Sequence, residues 1–102
     1  MKYQSITEDQ LDLMHIIQGD IISSQRQIAK KTGLSIGKVN YCLKALIDIG
    51  FIKVDNFSKS NQKLNYTYVL TSKGIKEKTV ITKQFIKKKK QEYDKLNSYI
   101  NT

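Results

Sequence analysis

The segment spanning residues 24–52 constrains the fold of this sequence most, because it holds two short apolar-periodic runs that each end in a glycine. Ser24 can cap a first helix over about residues 25–32, with Gln27 at the third helical position of a capping box. Gly33 follows where a helix end favours a residue that enters the left-handed conformation at little cost. The segment therefore predicts a short helix that ends in a tight turn.

A second helix, over about residues 36–49, follows this turn. Ser35 can cap it and Gly50 can end it. Its apolar residues recur every three or four positions, which places them on one buried face and leaves the other faces exposed. The residues of the predicted buried face are Val39, Leu43, Leu46 and Ile47.

Two strand-like segments come next. Residues 51–54 and residues 65–70 are rich in β-branched and aromatic side chains, and the polar stretch between them carries Lys59 and Lys63. This pattern predicts a β-hairpin with a long basic tip, a wing over about residues 55–65. Two helices around a tight turn and then a hairpin are the arrangement of the winged helix-turn-helix fold, which is mainly α with a small β-hairpin.

Helical patterns also precede the central segment. Thr7 and Gln10 have the spacing of a capping box, and apolar residues then recur at helical spacing, so we expect a helix over about residues 8–18 that Gly19 closes. Residues 21–23 are a candidate for a very short strand that pairs with the hairpin.

The segment from Thr71 to about Ile100 contains no helix breaker after Gly74, which predicts one long C-terminal helix. Positions along it step by four and three residues alternately, as in a heptad seam. So long a helix on so small a core cannot bury its whole length in one subunit, and we expect a homodimer. The open alternative is a helix that lies along its own domain. The predicted dimer interface comprises Ile75, Thr79, Thr82, Phe85, Ile86, Tyr93, Leu96 and Ile100.

We therefore divide the chain into a winged helix-turn-helix domain at residues 1–74 and a dimerisation helix at residues 75–102, within one structural unit. No apolar run reaches the roughly 18 to 20 residues needed to span a bilayer. The start of the sequence also lacks the basic-then-apolar pattern of a secretory signal. These features predict a cytoplasmic protein with no membrane partner.

Charge points to the class of partner. The formal net charge is +9, and residues 1–50 carry 6 basic and 5 acidic side chains, whereas residues 51–102 carry 12 and 4. A basic surface attracts polyanions and releases their counterions, so nucleic acid is the leading partner and an anionic membrane surface the second. A coding bias towards lysine is a simpler explanation of this basic excess, and it stays open.

Recognition of double-stranded DNA would rest on the second helix of the pair, whose first turns lie deepest in the major groove. Asn40 can pair bidentately with adenine, and Lys38 and Lys44 can reach guanine edges or phosphates. Gln25 and Arg26 begin the preceding helix, where free amides favour phosphate. The alternative is that these side chains are only a solvated surface. The predicted DNA-contact residues are Gln25, Arg26, Ser35, Gly37, Lys38, Asn40, Tyr41, Lys44, Lys59 and Lys63.

Over roughly residues 8–98, the chain resembles a known family. The segments GKVNYCLKALI and KLNYTYVLTSKGI resemble MarR-type winged helix-turn-helix regulators, and within them the exopolysaccharide-associated branch. The resemblance implies a dimeric transcriptional regulator found with genes for extracellular polysaccharide synthesis. The chain has little helix before residue 8, where typical MarR proteins build part of the dimer interface and effector pocket, so a small-molecule effector is doubtful.

Other classes of function find little support. Cys42 is the single cysteine, which excludes an internal disulfide and argues for packing rather than redox sensing, and His15 stands alone, so no metal site or cofactor is expected. The sequence has no Gly-rich phosphate loop and no nucleophile elbow, so we expect no enzyme activity. The serious rival is a winged-helix module that binds proteins, or binds nucleic acid without sequence specificity.

Overall fold

The computed structural model describes residues 6–19, Ile22, residues 24–57 and residues 65–101. Within these residues the chain forms a winged helix-turn-helix that is mainly α, with one β-hairpin and a long C-terminal helix, which confirms the predicted fold class. The elements are α1 (Glu8–Gly19), α2 (Gln25–Thr32), α3 (Ile36–Ile49), β1 (Ile52–Phe57), β2 (Asn65–Leu70) and α4 (Ser72–Ile100).

The helix-turn-helix begins and ends where its capping residues predict. The Ser24 hydroxyl accepts a hydrogen bond from the Gln27 backbone N–H at 3.2 Å, and the Ser35 hydroxyl caps α3 in the same way. Gly33 ends α2 at φ +79° and Gly50 ends α3 at φ +90°, a region that residues with a Cβ rarely adopt. The turn between α2 and α3 is therefore fixed at both ends by local chemistry.

The core lies where α1, α2 and α3 meet the hairpin. On α3, Cys42 is 1% exposed whereas Ile47 is 38% exposed, so the prediction that Ile47 belongs to the buried face was wrong. Cys42 follows Val39 by three positions and precedes Leu46 by four, which places it at the centre of the buried face, and Ile47 lies at its edge. The fully buried apolar side chains include Leu13, Met14, Ile22, Ile28, Val39, Leu43, Leu46, Phe51 and Ile52.

Strands β1 and β2 pair antiparallel, from Ile52 opposite Leu70 to Phe57 opposite Asn65. β1 runs three residues beyond its predicted end at residue 54, because pairing with β2 extends it through Asp55 and Asn56, which have little strand propensity of their own, to Phe57. The Tyr68 backbone N–H also donates to the Ile22 carbonyl at 3.0 Å. An isolated β-bridge therefore lies at Ile22, within the very short strand expected at residues 21–23. Residues 21, 23 and 58–64, with the wing lysines Lys59 and Lys63, lie outside the described residues.

A tight joint connects β2 to α4. Thr71 caps α4 by accepting from the Gly74 N–H at 3.0 Å, and its own hydroxyl donates to the Gly50 carbonyl at 2.6 Å. The Thr71 N–H donates to the Phe51 carbonyl at 2.9 Å. A Cβ on Gly74 would lie 2.2 Å from that same Phe51 oxygen, so glycine is required here for close approach. The joint sets the direction in which α4 leaves the domain.

α4 contains 29 residues and is therefore about 43 Å long. Its first half packs on the domain, with Ile81 buried and Phe85 half-buried against the core. From residue 91 to residue 101 every residue is exposed. The radius of gyration of 16.6 Å exceeds the roughly 13 Å typical of a compact chain of this length, because the helix projects. The alternative of a helix lying on its own domain thus describes only the first half.

Contacts between α1 and α4 tie the two ends of the fold together. The Lys78 ammonium lies 2.6 Å from the Gln18 side-chain oxygen and 2.9 Å from His15 Nδ1.

None of the described helices is long and apolar enough to cross a membrane. The described residues also include no group of three or more His, Cys, Asp or Glu side chains placed to hold a metal ion.

Candidate nucleic-acid interface

The outer face of α3 is exposed along its length and carries three of the predicted DNA-contact residues. Gly37, Tyr41 and Lys44 are spaced by four and three positions, so they lie on one stripe opposite the buried face. Tyr41 is 66% exposed. A Cβ built on Gly37 would meet nothing within 4 Å, so this turn of the backbone is open to a large partner.

Two further predicted contacts border this stripe, and each is held by a neighbouring helix. Asn40 is half-buried on the side facing α2, and its Oδ1 accepts a hydrogen bond from Gln25 Nε2 at 3.2 Å. Lys38 lies on the side facing α1, with its Nζ 3.8 Å from the Asp9 carboxylate. Both side chains of that ion pair are nearly half exposed, so the pair is weak and Lys38 can exchange Asp9 for a phosphate.

The N-termini of α2 and α3 are suited to phosphate. Neither helix has an acidic residue in its first turn, so its partial positive charge is not neutralised there. Arg26 is exposed in the first turn of α2, and Ser35 is exposed as the cap of α3. Backbone N–H groups at such ends bind phosphate oxygens readily.

The structure places much of the basic excess away from α3. α4 alone carries nine lysines and three acidic residues, and its four consecutive lysines at residues 87–90 are all exposed. Two of them are paired, because Lys89 lies 3.1 Å from Glu8 and Lys90 lies 3.7 Å from Asp94. The charge that led to nucleic acid as the leading partner is therefore centred on the long helix.

The heptad positions of α4 form a stripe that we call the α4 seam, which holds every residue of the predicted dimer interface except Phe85 and also holds Lys89. Its apolar members are strongly exposed, from 45% for Ile75 to 79% for Ile100. Thr82 satisfies its own hydroxyl by donating to the Lys78 carbonyl at 2.7 Å. The seam comprises Ile75, Thr79, Thr82, Ile86, Lys89, Tyr93, Leu96 and Ile100.

Lys89 departs from the apolar character of the α4 seam, and the structure accounts for it. Its ammonium is hydrogen-bonded to Glu8 of α1, a contact that raises the pKa of Lys89 above its ordinary value. The lysine is thus part of the α1–α4 contact. Phe85, which was also predicted to face a partner subunit, lies half-buried against its own core.

Cys42 was predicted to be a packing residue. It is buried in α3, and burial is the main cause that raises the pKa of its thiol. The thiol form, which is a poor nucleophile, is favoured by this environment.

An open groove lies between the end of α1, β2 and the start of α4. Its volume is about 540 Å³, and Ile17, Tyr68, Leu70 and Ile75 contribute much of its apolar lining. None of the predicted DNA-contact residues among the described ones lines this groove. The groove and the outer face of α3 are thus separate surfaces.

Sequence reasoning did not find two of the contacts at this surface. Asp9 was not considered a neighbour of Lys38, and Gln25 was assigned to phosphate rather than to Asn40. Both contacts join residues that are distant in the chain, and no local pattern signals them. The packing of α1 and α2 against α3 creates both.

Residues 10–53, from α1 into β1, match a protein family described as winged helix-turn-helix DNA-binding. This match covers α2, α3 and all of α1 except its first two residues. No curated protein matches the chain in sequence.

Several solved structures share the fold of this chain. A variant of ZitR from Lactococcus lactis is 21% identical with a TM-score of 0.66, covering 92% of this chain and 62% of its own. The transcriptional regulator SlyA is 18% identical with a TM-score of 0.68, covering 89% and 63%. FabT from Streptococcus pneumoniae, in complex with DNA, is 16% identical with a TM-score of 0.65, covering 92% and 64%.

At these identities the likeness establishes a shared fold. The chain spans less than two thirds of the length of each of these three proteins. The similarity extends beyond the helix-turn-helix, since it covers about nine tenths of the present chain.

Proposed function

We propose that this protein is a MarR-type transcriptional regulator that binds double-stranded DNA as a homodimer. The observation that carries the proposal is the outer face of α3, where an open glycine turn, Tyr41 and Lys44 are flanked by Asn40 and Lys38. Lysine, asparagine and tyrosine are side chains that contact phosphates and base edges. An α-helix of this width fits the major groove of B-DNA.

The comparisons support this proposal. The matching family is one of DNA-binding winged helices, SlyA is a transcriptional regulator, and the FabT structure contains DNA. In the proposed mode, α3 enters the major groove. The N-terminus of α2, with Arg26, lies against the phosphate backbone. Lys59 and Lys63 of the wing contact the minor groove or the backbone on the flank.

The α4 seam supports dimerisation. Four of its exposed apolar residues, Ile86, Tyr93, Leu96 and Ile100, lie on the second half of α4, and a second copy of the same seam would cover them. A two-fold dimer presents two α3 helices, which can occupy successive major grooves about 34 Å apart. The exopolysaccharide-associated resemblance makes genes for extracellular polysaccharide synthesis the proposed targets.

Asn40→Ala tests base readout. A bidentate pair with adenine contributes roughly 1–3 kcal/mol of discrimination, so affinity for a selected site should fall about tenfold or more. Affinity for unrelated duplex should change less than about twofold, because phosphate contacts supply it. Fluorescence anisotropy titrations with the two duplexes measure both values. Asn101→Ala, the same change at the exposed end of α4, serves as the control. An equal loss on both duplexes would remove Asn40 from base readout.

A second candidate is binding of nucleic acid without sequence preference. It is favoured by one observation, the concentration of nine lysines on α4 rather than on α3. Such binding weakens steeply with salt and shows no preference among duplexes. Comparing selected and scrambled duplexes at several salt concentrations separates the two functions.

A further inference from the structure

The hydrogen bond between Gln25 and Asn40 joins the two helices of the helix-turn-helix on the DNA-facing side. Gln25 is the first residue of α2, and Asn40 lies in the second turn of α3. Gln25 Nε2 donates to Asn40 Oδ1 at 3.2 Å, and both side chains are half-buried. Asn40 is one of the side chains predicted to read bases, and it is therefore held by an uncharged donor from another helix.

Both ends of this bond are anchored by rigid local structure. Ser24 caps α2 immediately before Gln25, which fixes the backbone from which that side chain extends. Ile28 of α2 and Val39 of α3 are fully buried in the core, and the two helices pack against each other. The distance from the α2 backbone to Asn40 is thus set by the core, so a glutamine side chain can bridge it without a large change in either helix.

The chemistry of an asparagine that reads adenine depends on which way its amide faces. The carbonyl oxygen must accept from adenine N6, while the amide nitrogen donates to N7. Rotating the amide by half a turn exchanges donor and acceptor and destroys the match. A donor held against Oδ1 favours one orientation, and the second lone pair of that oxygen stays available.

We infer that Gln25 is a positioning residue that orients the Asn40 amide for base readout and so determines specificity at the base pair that Asn40 contacts. The inference rests on the proposed function. It assigns to Gln25 a role beyond the phosphate contact predicted from its place at a helix N-terminus. Orienting a side chain before binding lowers the ordering cost paid in the complex.

The test compares two substitutions at one position. Gln25→Met keeps the length of the side chain and removes the donor, whereas Gln25→Lys keeps a donor for Asn40 Oδ1. With a selected site and its three variants at the base pair read by Asn40, Gln25→Met should lower discrimination about threefold to tenfold. Gln25→Lys should retain it, because any added phosphate attraction raises affinity for all sequences alike. Gln91→Met, on an exposed part of α4, is the matched control.

The same titrations in an Asn40→Ala background complete the test. There Gln25→Met should cause no further loss of discrimination, since the side chain it orients is gone. An independent, additive loss would overturn the inference, and so would full discrimination by Gln25→Met. Wild-type protein that binds DNA without discriminating among any sequences would overturn the proposed function and this inference with it. The thermal midpoints of both Gln25 variants should stay close to wild type, because neither change touches the core.

Discussion

Gly74→Ala is expected to destabilise the protein by about 3 kcal/mol, the upper range for overpacking a closely packed site. The new Cβ would stand 2.2 Å from the Phe51 carbonyl oxygen, which is backbone and also accepts the Thr71 N–H. Relief requires α4 to move away from the joint, which breaks the Thr71 contacts with Phe51 and Gly50. For a domain of this size the loss corresponds to a fall in Tm of roughly 12–24 °C.

Thermal denaturation followed by circular dichroism measures the shift, with all variants at one protein concentration because a dimer's Tm depends on it. Gly37→Ala is the matched control. Its Cβ meets nothing within 4 Å, and in the first turn of α3 alanine is favoured over glycine by at most the roughly 0.5–1 kcal/mol of a helix interior. Gly37→Ala should therefore raise Tm slightly. A Gly74→Ala protein with wild-type Tm would contradict the close approach of α4 to the Phe51 backbone.

Ile86→Asp is expected to convert the proposed homodimer into a monomer. Ile86 is 61% exposed in the subunit and lies on the α4 seam, so in a seam-to-seam dimer each copy would bury a carboxylate in place of an apolar side chain. Burial of such an ion costs several kcal/mol, and the interface would hold two of them. The dimer dissociation constant should rise by a factor of about 100 or more. Operator affinity should fall in parallel, because a monomer holds only one half-site.

Sedimentation velocity over a range of concentrations measures the association. Val80→Asp provides the control, since Val80 is 45% exposed on the same helix but lies about 120° around its axis from Ile86. It introduces the same residue with the same helix propensity away from the seam. Dimerisation retained by Ile86→Asp, or lost equally in both variants, would contradict the α4 seam as the interface.

The sequence predicted the helix ends well because their causes are local. Ser24 and Ser35 act on backbone amides three residues away, and Gly33 and Gly50 adopt the positive φ angles that their positions require. Apolar periodicity then predicted most of the buried face of α3. Ile47 was misplaced because residues at the edge of such a face are distinguished by packing neighbours, which periodicity alone does not specify.

Contacts between distant segments were beyond local reasoning. The approach of Gly74 to Phe51 and the ion pair of Lys38 with Asp9 arise only when the elements pack together. The candidate interface was predicted in its residue types and in its helix, and its residues remain predictions as DNA contacts. Net charge and its bias towards the second half of the chain indicated a polyanion, but they did not show that Lys89 pairs with Glu8 of α1.

In vitro selection of duplex DNA from a random pool, with the purified full chain at near-physiological salt, tests whether the protein binds specific sequences as a dimer. We expect enrichment of a palindrome whose half-sites lie about one helical turn apart. Asn40→Ala should relax the preference at one symmetric pair of positions. Retention that is salt-sensitive but selects no sequence, or no retention of DNA at all, would contradict a sequence-specific dimeric regulator.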